Sequence, residues 1–222
     1  MQVERNPIPP QLNKKAAELI TELCFRNSDA LKEVDGIFVY ASIVGIDKLV
    51  ELIDEILSKG ISNKIFITGG VTPKKLKKDL KIQTKLTEAD TLLNALELDQ
   101  YKNLTVFVEQ KSTNTLENVT ETLKNPEFKN CKSLLFIFKS HAAGRGYLTL
   151  RKFFPSAEIL QQTFDTKYEG IEKEITRDNW HSFDFGRSRV WGEYLRIKKY
   201  GNRGDIEYNE VKDLVEKIEK EL

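Results

Sequence analysis

Four short apolar runs, separated by segments of helical periodicity, constrain this chain more than any other feature. Gly36-Ile37-Phe38-Val39-Tyr40, Lys64-Ile65-Phe66-Ile67-Thr68, Leu104-Thr105-Val106-Phe107-Val108 and Ser133-Leu134-Leu135-Phe136-Ile137-Phe138 are rich in β-branched and aromatic residues, the composition of strands buried on both faces. Between the first two, Ile46, Leu49, Val50, Leu52, Ile53, Ile56 and Leu57 form an amphipathic helix that stops at Gly60. Strand, helix and strand joined by short turns require parallel pairing and a right-handed crossover, because the helix carries the chain back along the sheet.

The rest of the chain fits the same plan. Leu12, Ala16, Leu19, Ile20 and Leu23 predict a first helix packed on the sheet. Thr87 and Asp90 have the spacing of a capping box opening a helix through Leu92 and Leu93, and a further helix from Leu116 to about Lys124 ends at Asn125-Pro126. Tyr147, Leu148, Leu150 and Phe153 mark another helix, and Glu158 to Thr163 a fifth strand. The aromatic stretch from Trp180 to Leu195 predicts a helix, with Val211, Leu214, Val215 and Ile218 on a last one. No repeat or linker interrupts the chain. The expectation is one α/β domain over 1–222, with a core of about 35–165 and a C-terminal helical extension of about 178–222.

Composition narrows the function classes. The 222 residues hold 35 Lys and Arg against 34 Asp and Glu, a net charge of +1, which gives no reason to expect a nucleic-acid or membrane-surface partner. No run reaches the eighteen or so apolar residues of a membrane helix, and the start of the chain lacks the apolar core of an export signal. Cys24 and Cys131 stand apart in apolar segments without metal or redox spacing. A soluble, cytoplasmic protein with inert thiols is expected, its function residing in a local site.

The candidate site residues follow the strands. Glu109-Gln110-Lys111-Ser112-Thr113-Asn114-Thr115-Leu116-Glu117-Asn118 connects the third strand to a helix, and such loops gather polar groups at the carboxyl edge of a parallel sheet, where ligands bind in open α/β folds. Helix capping explains Ser112 or Asn114 equally well, but leaves Glu109, a carboxylate directly after a buried strand, without a role. Ser42 follows the first strand, Gly69-Gly70 the second, and Ser140-His141 with Arg145 the fourth. The glycines would admit a ligand or simply turn the chain, and His141 with Arg145 four residues on suggests an anion-binding corner at a helix start. Glu88 lies at a helix amino terminus, where the dipole alone accounts for a carboxylate. The lysine-rich segment from Lys74 to Lys85 reads as a solvated surface, or as a lid that draws an anion.

In order and spacing, Thr68 to Gly70, Thr87 to Ala89, the Glu109 to Asn118 element and Ser140 to Arg145 resemble the DUF218 family, also called YdcF-like or ElyC/SanA/YdcF. The stretch from Gly192-Glu193-Tyr194-Leu195-Arg196 to Asp205 is similar to the end of its cytoplasmic members. The resemblance implies a three-layer Rossmann-like domain with a mainly parallel sheet and a site at its carboxyl edge. It also implies S-adenosylmethionine binding for a YdcF-type protein and envelope maintenance for anchored members, and no anchor is evident here. Two positions depart from the pattern: Ala41-Ser42 replaces glycines after the first strand, and Asp47 and Lys48 stand where an arginine is usual.

Three function classes follow. In the first, a small-molecule protein binds S-adenosylmethionine or a nucleotide-like ligand through Ser42, Gly69, Gly70, Glu88, Ser112, Asn114, Thr115, Glu117, Asn118, Ser140 and Arg145, with Glu109 or Glu88 on ribose hydroxyls or an amine. In the second, a hydrolase or transferase of phosphorylated or nucleotide substrates uses His141 as acid/base, oriented by Glu109 or Glu117, with Ser112 a conceivable nucleophile. The third is a non-catalytic interaction module. No GxSxG, Walker lysine or HExxH motif is present. No transition-metal site is expected, and Glu88, Glu109 and Glu117 could at most hold Mg²⁺ through water.

Overall fold

The computed structural model describes residues 3–72 and 86–222. The chain divides into two compact units, each assembled from separate stretches: a sheet unit of Asp29–Phe138 and Ser156–Phe164, and a helical unit of the residues up to Ser28, Lys139–Pro155 and Asp165–Leu222.

The sheet unit holds β1 (Gly36–Tyr40), α2 (Ile46–Ser58), β2 (Lys64–Thr68), α3 (Glu88–Ala95), β3 (Thr105–Glu109), α4 (Thr115–Thr122), the short α5 (Pro126–Lys129), β4 (Ser133–Lys139, whose last residue belongs to the helical unit) and β5 (Glu158–Phe164); α1 lies in the helical unit. Its five strands are all parallel and run in the order β3-β2-β1-β4-β5. The register aligns Phe38 with Phe66 and Phe136, and Thr68 with Glu109. Strand order therefore reverses between β1 and β4, as in a doubly wound Rossmann-like sheet.

Each apolar run divides its side chains by chemistry. Ile37, Val39, Ile65, Ile67, Leu135 and Ile137 meet Leu49, Ile53 and Ile56 of α2 and Leu92 of α3 in an aliphatic core. The alternate positions carry rings. Phe128 of α5 lies 4.9 Å from Phe38 and 5.0 Å from Phe66 between centroids, and Phe66 stacks on Phe107 at 4.9 Å. Because successive strand side chains point to opposite faces, α2 and α3 cover the aliphatic face and α5 caps the aromatic one, which gives three layers. β3 is the exception to two-faced burial. It ends the strand order among the described residues, its five positions are half-buried or exposed, and Val108 is 37% exposed. The expectation that Glu109 follows a fully buried strand is thus corrected; Glu109 is the last residue of the terminal strand.

In the helical unit α1 (Lys14–Cys24) buries Ala16, Leu19, Ile20 and Leu23, while Leu12, expected on the same face, precedes the helix and is half-buried. Within this unit it packs against α6 (Ala143–Phe153), α7 (Asp184–Arg203) and α8 (Lys212–Glu221). The aromatic stretch is not one helix: Trp180–Ser182 form a 3-10 turn and α7 begins at Asp184. The Trp180 indole N–H donates to Thr21 Oγ1 at 2.8 Å, which ties that turn to α1. Val215 and Ile218 of α8 are buried, as read from their spacing. The lysine-rich segment lies outside the described residues.

Candidate functional site

The loops after β1, β2 and β3 are built mainly by backbone hydrogen bonds. Ser42 is fully buried and closes a tight turn on Val44, donating to its carbonyl and accepting from its N–H, both at 3.0 Å. Gly69 has φ +148°, a conformation other residues rarely adopt. Its N–H donates to the Glu109 carbonyl at 3.1 Å and its carbonyl accepts from Ala89 N at 3.0 Å. At Gly70 a Cβ would lie 2.5 Å from the Gln110 carbonyl oxygen, so the glycine lets two loop backbones cross. Gly70 N donates to both Ser112 O (2.9 Å) and Ser112 Oγ (3.2 Å). The structure thus brings Gly69, Gly70, Glu109 and Ser112 together, with Glu88 at the start of α3 donating its N–H to Val71 at 2.9 Å.

This wiring assigns most of the candidate loop to structure. Asn114 caps α4, its side chain accepting from Glu117 N at 3.0 Å. Thr115 opens that helix and Asn118 N bonds back to Asn114 O at 2.9 Å. Glu117 Oε2 accepts from Thr113 Oγ1 and N, both at 2.7 Å, and these bonds hold its carboxyl below the usual carboxylate range. Ser112 is 1% exposed with its hydroxyl engaged by Gly70, which removes the nucleophile reading. Glu109 and Glu117 serve separate backbone groups, and no group of three potential metal ligands occurs among the described residues.

Glu109 keeps one unexplained oxygen. Oε1 accepts from the N–H groups of Lys111 and of Ser112, the latter at 2.8 Å. Oε2 is buried and accepts nothing among the described residues. Glu109 also lines a groove of about 570 Å³ beside β3, floored by Ile67, Phe107, Val108 and Pro126 and flanked by Lys111 and Lys124.

In the helical unit a second polar cluster surrounds His141, which sits in a 3-10 turn (Ser140–Ala142) ahead of α6. Its ring nitrogens face Thr166 Oγ1 at 3.5 Å and Tyr168 OH at 3.3 Å, which corrects the expected orientation by Glu109 or Glu117. Complete burial, with Arg189 close by, pushes its proton affinity well below the ordinary value and keeps it neutral. That environment does not suit an acid/base group that must meet substrate. Ser140 Oγ donates to Asp165 Oδ1 at 2.5 Å. Arg145, expected on the surface or on a ligand, is buried, with Nε donating to Glu193 Oε2 at 2.6 Å. Arg196 Nη1 reaches Glu193 Oε1 at 3.1 Å. Burial alone would raise the Glu193 pKa, but Arg145 and Arg196 outweigh it and hold the group at about 2.

Asp165, Thr166, Tyr168, Arg189, Glu193 and Arg196 were not among the expected site residues. A signal for three of them exists in the spacing: Arg189, Glu193 and Arg196 fall four and three residues apart, a single stripe of α7. That stripe runs beside the buried Val190 and Ile197, where solvated charges would not be expected. No helix of the described residues is long and apolar enough to cross a membrane. No protein-family model matches the chain, and no curated protein matches it.

Proposed function

We propose that this chain is a cytoplasmic small-molecule-binding protein of the YdcF-like type, and that its ligand is S-adenosylmethionine or a nucleotide-like compound held in the groove beside β3. The observation that carries this reading is the second Glu109 oxygen, buried with no donor of its own. A carboxylate in that condition lacks a hydrogen bond, and a ribose hydroxyl or an amine would supply it. The neighbouring floor of Phe107, Val108 and Pro126 offers an apolar surface for a flat base, and a volume of about 570 Å³ falls in the range of small-molecule sites. Polar loops follow β1 to β3 at the carboxyl edge, with the groove beside β3, the terminal strand, and not at the β1/β4 reversal.

Calorimetric and thermal-shift titrations with S-adenosylmethionine, S-adenosylhomocysteine and a nucleotide panel test the reading on the wild type and on Glu109→Gln. A ligand at about 100 times its Kd adds roughly 2.7 kcal/mol to stability. A hydrogen bond to a charged group contributes about 1.5–3 kcal/mol, so Glu109→Gln should bind at least tenfold more weakly. Absence of binding across the panel, or equal binding by the variant, overturns the proposal.

A further inference from the structure

The helical unit contains a buried arginine that pairs with no carboxylate among the described residues. Arg145 and Arg196 share the two oxygens of Glu193. Arg189 is 7% exposed, yet its acceptors are all neutral: the Arg5 carbonyl at 3.2 Å, the Asn6 side-chain oxygen at 3.3 Å and the Tyr168 hydroxyl at 2.8 Å. Its Nε, also buried, has no acceptor among the described residues. A buried cation without a counter-charge is unfavourable unless something else compensates it, and the Tyr168 ring, centred 4.8 Å from the guanidinium carbon, compensates it in part. Besides burial, Arg189, Lys139 and Arg145 all lower the proton affinity of His141, and Glu193 acts the other way.

The position of the missing acceptor defines the ligand chemistry. Nε and Nη2 share the side edge of a guanidinium, and that edge meets a carboxylate or a phosphate through two parallel bonds. Nη1 is occupied by Arg5 and Asn6, on a segment anchored by Ser188 Oγ donating to the Pro7 carbonyl at 2.8 Å and Arg196 Nη2 donating to the Glu4 carbonyl at 2.8 Å. Nη2 uses one of its two hydrogens on Tyr168, whose hydroxyl also lies 3.3 Å from His141 Nε2. Arg5 and Asn6, which cover the Nη1 end, are exposed.

We propose that the Nε/Nη2 edge of Arg189, with the Tyr168 hydroxyl beside it, binds an oxyanion, a carboxylate or phosphate group. The site lies wholly in the helical unit, and the groove at Glu109 can fail its own test without affecting it. The expected corner of His141 and Arg145 is thereby reassigned: Arg189 meets the anion, while Arg145 neutralises Glu193.

The experiment follows the ¹⁵Nε–H resonance of Arg189, assigned through bonds in the wild type, during titration with inorganic phosphate and with acetate. Sodium chloride at matched ionic strength serves as the control, and thermal shift is measured in parallel on the wild type and on Arg189→Lys. A saturable downfield movement with phosphate or acetate and none with chloride supports the site, and the stronger of the two anions names the group. Arg189→Lys, which keeps the charge and loses the two-bond edge, should shift the thermal midpoint to at least tenfold higher anion concentration. A resonance unmoved by both anions, or an unchanged midpoint in the lysine variant, overturns the proposal. The wild-type resonance decides by itself if the variant does not fold.

Discussion

The Glu109–Asn118 loop and the His141–Glu193 cluster are equally polar in sequence and use that polarity in opposite ways. In the loop four side chains serve the backbone: Glu109 accepts from Lys111 and Ser112 N–H groups, Ser112 from Gly70, Asn114 caps α4, and Glu117 accepts from Thr113 N. In the cluster the side chains serve one another, and the bonds link residues far apart in the chain, Arg145 to Glu193 and Arg189 to Tyr168. Local bonds between a side chain and nearby backbone satisfy groups that a turn would otherwise leave open, each at a modest gain. Buried charges are different, since removing one partner exposes the other to the full cost of desolvation. A dense polar loop is therefore weak evidence for a site, whereas single unmatched groups, the Glu109 oxygen and the Arg189 Nε, carry more information.

That contrast makes a ranked set of expectations. Glu193→Ala should be the most damaging change, costing about 3–5 kcal/mol, because it leaves Arg145 buried without its counter-charge; urea denaturation measures it, and a loss near that of an exposed pair would mean the cluster is solvated. Gly70→Ala should cost about 1–3 kcal/mol, since its Cβ would sit 2.5 Å from the Gln110 carbonyl. Normal stability in that variant would show that the loop crossing yields easily.

The cluster should also govern the acid side of the stability curve. His141 is held neutral in the fold, so its contribution is complete above its unfolded value of 6.5 and is lost as pH falls below it. One such proton gives a slope of up to about 1.4 kcal/mol per pH unit, which His141→Gln should flatten. Glu193, depressed to about 2 from 4.5, adds a second limb: its contribution is present above about 4.5 and disappears toward pH 2. If chemical denaturation across this range gives the same slope for the wild type and His141→Gln, the imidazole is reachable by water. The smallest effect belongs to the loop. Asn114→Ala should lose about 1 kcal/mol through the missing cap, and no measurable loss would mean that α4 starts without it.

Most of the sheet unit was legible because its causes are local. An apolar run of five or six residues between helical segments has few alternatives to a buried parallel strand, and the alternation of aliphatic and aromatic residues within each run already separates the two faces. Thr87 with Asp90 was read as a capping box and forms one. The candidate site was less legible. Glu109 was singled out for standing after a buried strand, yet β3 is half-exposed at the end of the strand order, a property that depends on neighbours and not on the strand's own residues. Glu193 and Arg189 passed unassigned because a charged residue on a helix is normally solvated, and nothing within α7 states what packs over it.

Sequence by itself determined the strands, most of the helices and the parallel pairing, since periodicity and capping act within a few residues of their cause. Tertiary structure decided which polar groups would find partners. Gly70 meets Ser112 across 42 positions and Arg145 meets Glu193 across 48, and the strength of a charge depends on the burial that such distant contacts create.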